Sequence, residues 1–168
     1  VEQDYPLAIT WYRKALKSGN KAAAFNLAIC YDAPFGVERD VDKAIGYYKL
    51  AVEAGVAQAH LNLGLLQEEQ GDLSAAQAHF KAASVAKIPQ AARCYARLAS
   101  IASEKLSYLK QAAKLGDVRA MPLLADLYEV QKNLTQMIFW LKKGAVSEDA
   151  TSLSKLGFCY AQGYGVAK

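Results

Sequence analysis

Three cysteines, two histidines and one acidic cluster are the parts of this 168-residue chain whose side chains invite a chemical reading. Cys30, Cys94 and Cys159 lie far apart, and none belongs to a CxxC pair. Thiolate metal sites and redox dithiols need such close spacing, so the three read as small buried hydrophobes. His60 has Gly64 one helical turn on, which leaves it without a second metal ligand on its own face. His79 falls where equivalent segments carry an aromatic ring, and so reads as a packing residue. Glu68, Glu69 and Asp72 gather at a turn, where solvated charge and helix capping account for them. No P-loop, dinucleotide fingerprint, GxSxG or HExxH motif is present, and no acid, base and nucleophile converge. The expectation is a protein without catalytic activity, metal or cofactor.

Composition narrows the class further. An apolar fraction of 53% is ample for a core, and alanine supplies much of it, favouring close-packed helices. A net charge of +4, interspersed along the chain, is too small to argue for nucleic acid. No apolar run is long enough to insert directly into a membrane, and the N-terminus lacks the shape of a signal peptide. Neither feature fixes a compartment, although unpaired thiols lean toward a reducing one.

The stretch from Gly36 to Gly55 is copied along the chain, and repeats decide the fold before any motif does. With Gly19, Gly55, Lys87, Gly116 and Glu148 as anchors, Leu27, Leu63, Tyr95, Leu124 and Leu156 stand eight residues after them. Ala28, Gly64, Ala96, Ala125 and Gly157 stand nine after, and Tyr31, Gln67, Ala99, Tyr128 and Tyr160 twelve after. These offsets mark the inner face of a helix, termed A, with small residues where a neighbour approaches. Before the anchors runs a helix termed B. It places Trp11, Tyr47, His79, Tyr108 and Trp140 at the eighth position back. Tyr12, Tyr48, Phe80, Leu109 and Leu141 stand at the seventh, and Ala15, Ala51, Ala83, Ala112 and Gly144 at the fourth. The aromatic and the small residue are expected to act as knob and socket between helices. Asp4, Asp40, Asp72 and Asn133 stand where each B helix should start, with side-chain oxygens suited to capping. Asn133 has Gln136 at the capping-box spacing. The fourth copy has Ile101 at that register, so Ser103 is expected to cap instead.

Tyr31, Gly36, Val37, Asp40, Lys43, Ala44, Tyr47, Tyr48, Lys49, Ala51 and Gly55, with Leu156-Gly157 and Tyr160 to Val166, resemble the Sel-one-like repeat. That family is a subclass of the tetratricopeptide-type helical repeats. Pro34 stands where the family has its first glycine. The resemblance implies an all-α, right-handed α-α superhelical solenoid of antiparallel helix pairs, about ten helices in one array. Repeat units are expected at roughly 4–33, 40–70, 72–101, 103–131 and 133–162. The array opens on a B helix and closes on an A helix, so it is expected to be part of a longer one. Uncapped terminal helices of that kind expose apolar surface and favour end-to-end self-association.

The resemblance also places binding on the concave face formed by the A helices. Gln58, Gln90 and Arg119 occupy the third position after their anchors. Asn26, Asn62 and Lys155 occupy the seventh, and Arg97 and Asp126 the tenth. Asn26 and Asn62 form a ladder of amides suited to an extended peptide backbone. Arg93, Arg97 and Arg119 are suited to a carboxylate or an acidic segment. The expected function is a non-catalytic scaffold for a partner protein or extended peptide. The alternative is a bacterial envelope or periplasmic module that binds polysaccharide or cell-wall glycan, or organises an export or signalling complex. For the glycan reading, aromatics such as Phe25 or Phe158 should line a shallow groove.

Overall fold

The computed structural model describes residues 3–33 and 37–166 of the chain. Among them run ten α-helices and no strand. The first five are α1 (Tyr5–Lys17), α2 (Ala23–Asp32), α3 (Val41–Glu53), α4 (Ala57–Glu69) and α5 (Leu73–Val85). The remainder are α6 (Pro89–Leu98), α7 (Ala102–Lys114), α8 (Ala120–Val130), α9 (Leu134–Val146) and α10 (Ala150–Gln162). Odd-numbered helices are the B helices of the repeat and even-numbered ones the A helices. The chain is an all-α helical-repeat protein. Pro34 and Gly36 lie outside the described residues.

Local chemistry explains where the helices begin. Carboxylate or amide oxygens of Asp4, Asp40, Asp72 and Asn133 accept from the backbone N–H three residues on, at 2.9 to 3.1 Å. Asp149 does the same for α10, accepting from Ser152 N–H at 2.7 Å. The expected cap from Ser103 is absent. Helix α7 starts at Ala102 behind an extended Ile101, so Ser103 already lies inside the first turn and α7 has no side-chain cap. The Asn133–Gln136 pair supplies one half of a capping box. The Asn133 N–H donates to the Tyr128 carbonyl at 2.8 Å instead of to Gln136.

All five anchors adopt left-handed backbone: φ is 91° at Gly19, 79° at Gly55, 62° at Lys87, 95° at Gly116 and 56° at Glu148. That conformation turns each B helix into its A helix, and glycine reaches it without a Cβ penalty. At Lys87 and Glu148 the penalty is present. Glu148→Gly should raise stability in urea unfolding by about 0.5–1 kcal/mol, the relief of the Cβ clash less glycine's greater chain entropy.

The chain divides into two compact units, Val1–Ala86 and Lys87–Lys168. In the first, Leu27, Ala28, Tyr48, Ala51, Ala59 and Leu63 form the centre of a buried cluster. In the second, the equivalent registers supply Leu109, Ala112, Ala120, Leu124, Ala125 and Leu141. Small residues set the helix spacing: the Phe80 ring lies on Gly64, at the ninth offset of the preceding A helix. A Cβ on Gly64 would come within 2.7 Å of that ring. The fourth position back faces the A helix of its own repeat, as where a Cβ on Gly144 would meet the Ser152 side chain.

Trp11 and Tyr160 were expected on inner faces, yet they are 59% and 53% exposed. Tyr47, at the register of Trp11, stacks on Tyr31 of the preceding A helix with ring centroids 5.8 Å apart. No described helix precedes α1 or follows α10 to offer such a partner. Among the described residues no helix is long and apolar enough to cross a membrane.

Candidate functional site

In the first unit the A helices α2 and α4 carry Asn26, Gln58 and Asn62. Asn26 and Gln58 are exposed and Asn62 is half-buried. Of the two amides of the ladder, Asn62 is engaged within the fold. Asn62 Nδ2 donates to the hydroxyl of buried Tyr48 at 3.0 Å, and its Oδ1 accepts from Gln58 at 3.4 Å. The Tyr48 hydroxyl donates in turn to Asp32 at 3.2 Å. Burial pushes the Tyr48 phenol far above its ordinary range, so it remains a neutral donor. Arg39 joins the same network, donating to the Asp32 carbonyl at 2.7 Å and to both carboxylate oxygens of Glu69, each at 2.7 Å. Glu69 is therefore tied to the preceding turn rather than simply solvated. Asp72 caps α5, as its position suggested.

The histidines meet, which their sequence separation concealed. His60 of α4 and His79 of α5 face each other with Nδ1 atoms 2.8 Å apart, so one ring holds its proton on Nδ1 and the other accepts. Burial holds both imidazoles below the usual histidine range, and for His79 the charges on His60 and Lys49 act in the same direction. The folded state therefore binds fewer protons than the unfolded chain just below the ordinary histidine pKa. Stability should be full above that value and fall as pH drops through it. Thermal unfolding between pH 7.5 and 5 should show the fall, and His79→Phe should flatten it. Two imidazoles do not complete a metal site. Among the described residues no group of three or more His, Cys, Asp or Glu side chains is suited to a metal.

In the second unit α6, α8 and α10 present Gln90, Arg97 and Arg119 to solvent, with Arg93, Asp126 and Lys155 half-buried. Arg93 donates through Nε to Asp117 at 2.6 Å, and the Asp117 side chain is only 4% exposed. Asp117 also accepts from the Arg119 backbone N–H at 3.2 Å. Arg93 is thus a structural partner of a buried carboxylate that sequence reasoning missed. Lys155 of α10 pairs with Asp126 of α8. On one side of that pair is an apolar cavity of about 250 Å³ lined by Ala96, Leu109, Leu123 and Leu127, with Arg97 and Lys105 at its edge. On the other is a cavity of about 370 Å³ lined by Met137, Leu141, Phe158 and Tyr164. Phe158 is 61% exposed and Leu123 41%. Cys94, at the register of Asn26 and Asn62, is buried and adds nothing to this face. All three cysteines are buried and unbridged. Burial raises the Cys30 and Cys159 thiols, which makes them poor nucleophiles.

Helical pairs, left-handed anchors and inward alanines define a solenoid of short helical repeats. Segments 1–20, 21–56, 106–117 and 150–168, together just over half the chain, match the Sel1 repeat, and the chain belongs to that family. The fold is shared with solved structures at low sequence identity. A protective antigen present in uropathogenic Escherichia coli strains, displaying an SLR fold, superposes with a TM-score of 0.89 at 22% identity. That match covers 100% of this chain and 39% of the antigen. A Sel1 repeat protein from Oxalobacter formigenes gives 0.85 at 23% identity, covering 100% of this chain and 75% of its own. An immunity protein of Pseudomonas aeruginosa gives 0.57 at 23% identity, covering 90% of this chain and 62% of its own. No curated protein matches the sequence. Sel1 repeat proteins generally serve as protein-interaction scaffolds and are generally not enzymes.

Proposed function

We propose that this chain is a non-catalytic scaffold that holds an extended segment of a partner protein on its A-helix face, chiefly in the second unit. The observation that carries this reading is the pair of cavities, one apolar and one mixed, beside the Asp126–Lys155 pair. Two adjoining pockets that share Asp126 suit two apolar side chains of one peptide, and the Asp126–Lys155 pair offers polar contacts there. Arg97 and Lys105 at the edge of the smaller pocket favour an acidic residue beside the apolar one. Gln90 and Arg119 are exposed on α6 and at the start of α8 and line neither cavity. In the first unit Asn26, Gln58 and Asn62 lie on the A helices, and Tyr48 already engages Asn62.

The glycan reading rests on Phe158 and Tyr164, which line one pocket and are 61% and 38% exposed. Phe25 gives it no support, since its ring is half-buried against Tyr48 with centroids 5.9 Å apart. Selection of displayed random peptides on the intact chain separates the two readings. Enriched peptides should carry spaced large apolar residues with acidic flanks, and should lose about tenfold or more in affinity on Leu123→Ala/Phe158→Ala, two partly exposed apolar contacts. Peptides indifferent to those substitutions would count against this face. Binding confined to oligosaccharides would favour the glycan.

A further inference from the structure

A different pocket lies on the B-helix side of the second unit. It has a volume of about 580 Å³ between α7 and α9 and is lined by Lys87, Ser107, Lys110, Gln111, Lys114, Leu115 and Trp140. Its lining holds three ammonium groups and no carboxylate. None of the three lysines is ion-paired with a described carboxylate. Trp140 is 8% exposed, and its indole N–H has no hydrogen-bond partner. A buried unsatisfied donor of this kind is costly and requires an explanation.

The pocket is built twice. In the first unit a cavity of about 430 Å³ is lined by Thr10, Arg13, Lys17 and Tyr47, among others. Counted from their anchors, Thr10 and Ser107 share one register, Arg13 and Lys110 another, and Lys17 and Lys114 a third. Tyr47 and Trp140 share the aromatic register of the following B helix. Even the cation's secondary contact repeats: Arg13 donates to the Tyr31 hydroxyl at 2.6 Å, and Lys110 lies 5.6 Å over the equivalent Tyr128 ring. The other repeats break the set, with Gly46 and Glu53 in the second and Ala78 and Val85 in the third. Hydroxyl, two cations and aromatic floor thus occur together at these two places, once per unit.

We propose that the α7–α9 pocket binds a phosphate group, and that the α1–α3 pocket is a weaker copy of it. Ammonium groups act as compact point charges that can surround a tetrahedral dianion, whereas flat carboxylates are better matched by arginine forks. The Ser107 hydroxyl in the lining adds a neutral donor. Arg13 is already engaged by Tyr31, which makes the first pocket the weaker site. The phosphate is that of a small molecule or of a phosphorylated side chain of a protein, and the chemistry of recognition is the same for both.

The test is an NMR titration of the intact ¹⁵N-labelled chain with inorganic pyrophosphate, a phosphoserine peptide and the same peptide without phosphate. Saturable shifts are expected at the Trp140 indole and at the amides of Ser107, Lys110 and Lys114. Lys110→Gln/Lys114→Gln, two exposed changes, should weaken that binding about tenfold or more. Lys21→Gln/Lys49→Gln removes the same charge elsewhere and should leave it unchanged. Tighter binding of pyrophosphate assigns the phosphate to a small molecule, and tighter binding of the phosphopeptide alone assigns it to a protein; either supports the site. Non-saturating shifts spread over all surface lysines, equal loss in both variants, or binding of the unphosphorylated peptide as tightly as its twin would overturn it.

Discussion

Asp117→Ala is expected to lower the stability of the second unit by about 3 kcal/mol in urea unfolding, among the largest effects of any single polar change. The carboxylate is almost fully buried and holds Arg93 at 2.6 Å and the Arg119 backbone N–H at 3.2 Å. Removing it leaves a guanidinium that is 20% exposed with its charge uncompensated. It also frees a backbone donor at the start of α8. The loss therefore exceeds the value of the bond itself, because a stranded buried charge keeps its full desolvation cost. Arg93→Met/Asp117→Ala should recover more than half of the loss, since it removes the stranded charge and keeps the aliphatic stem. A double variant no more stable than the single one would show that Asp117 acts through something other than Arg93. The pair matters for binding too, because Arg93 lines the smaller apolar pocket on the A-helix face.

Gly64→Ala and Gly46→Ala should change stability in opposite directions. Both glycines lie inside helices, where alanine gains about 1 kcal/mol in propensity. A Cβ on Gly46 meets nothing within 4 Å, so its substitution should stabilise by about that amount. A Cβ on Gly64 meets Phe80 ring carbons at 2.7 and 2.9 Å and the Ala76 carbonyl at 3.2 Å. Phe80 is 0% exposed and has no space into which to swing, and the carbonyl belongs to helix backbone. Overpacking of this kind costs about 1–3 kcal/mol and should leave Gly64→Ala destabilised by about 1–2 kcal/mol after the propensity gain. Phe80→Leu in the Gly64→Ala background should return part of it. Equal effects at the two glycines would mean that α4 and α5 separate freely, and the socket assignment would fail.

Much of the fold was legible because a repeat states each rule several times. The anchor register was marked by Gly19, Gly55 and Gly116, which placed Lys87 and Glu148 at the same point of the repeat, and the structure shows left-handed backbone at all five. Capping was equally plain where Asp or Asn stood at the B-helix start. It failed at α7 because Ile101 offers no oxygen and the helix begins too early for Ser103 to serve. The exposure of Trp11 and Tyr160 was missed for another reason. Register says which way a side chain points, but burial also needs a neighbouring helix at that point.

The candidate site was legible only as a face. Offsets placed Arg97, Asp126 and Lys155 on one side of the A helices, but not the ion pair that divides two cavities. Asn62 carried the right chemistry for peptide binding, yet Tyr48 on the neighbouring helix takes one of its two N–H donors. The His60–His79 contact joins adjacent helices through residues in different registers, and a within-helix search for ligand spacing passes over it. Such partners depend on the contact between helices. The twofold pattern of one hydroxyl and two cations on the B helices was the opposite case: it was present in the sequence, but only the cavities beneath it set those cations apart.

The most direct test of the A-helix face is site-specific photo-cross-linking in cells expressing the protein. A photoreactive residue is placed at Leu123 or Phe158, and, for comparison, at Lys142 or Val146 on the exposed side of α9. Discrete protein adducts from Leu123 and Phe158, lost on adding Arg97→Glu/Lys105→Glu, are the expected result. Adducts arising only from Lys142 and Val146, with Leu123 and Phe158 silent, would contradict it.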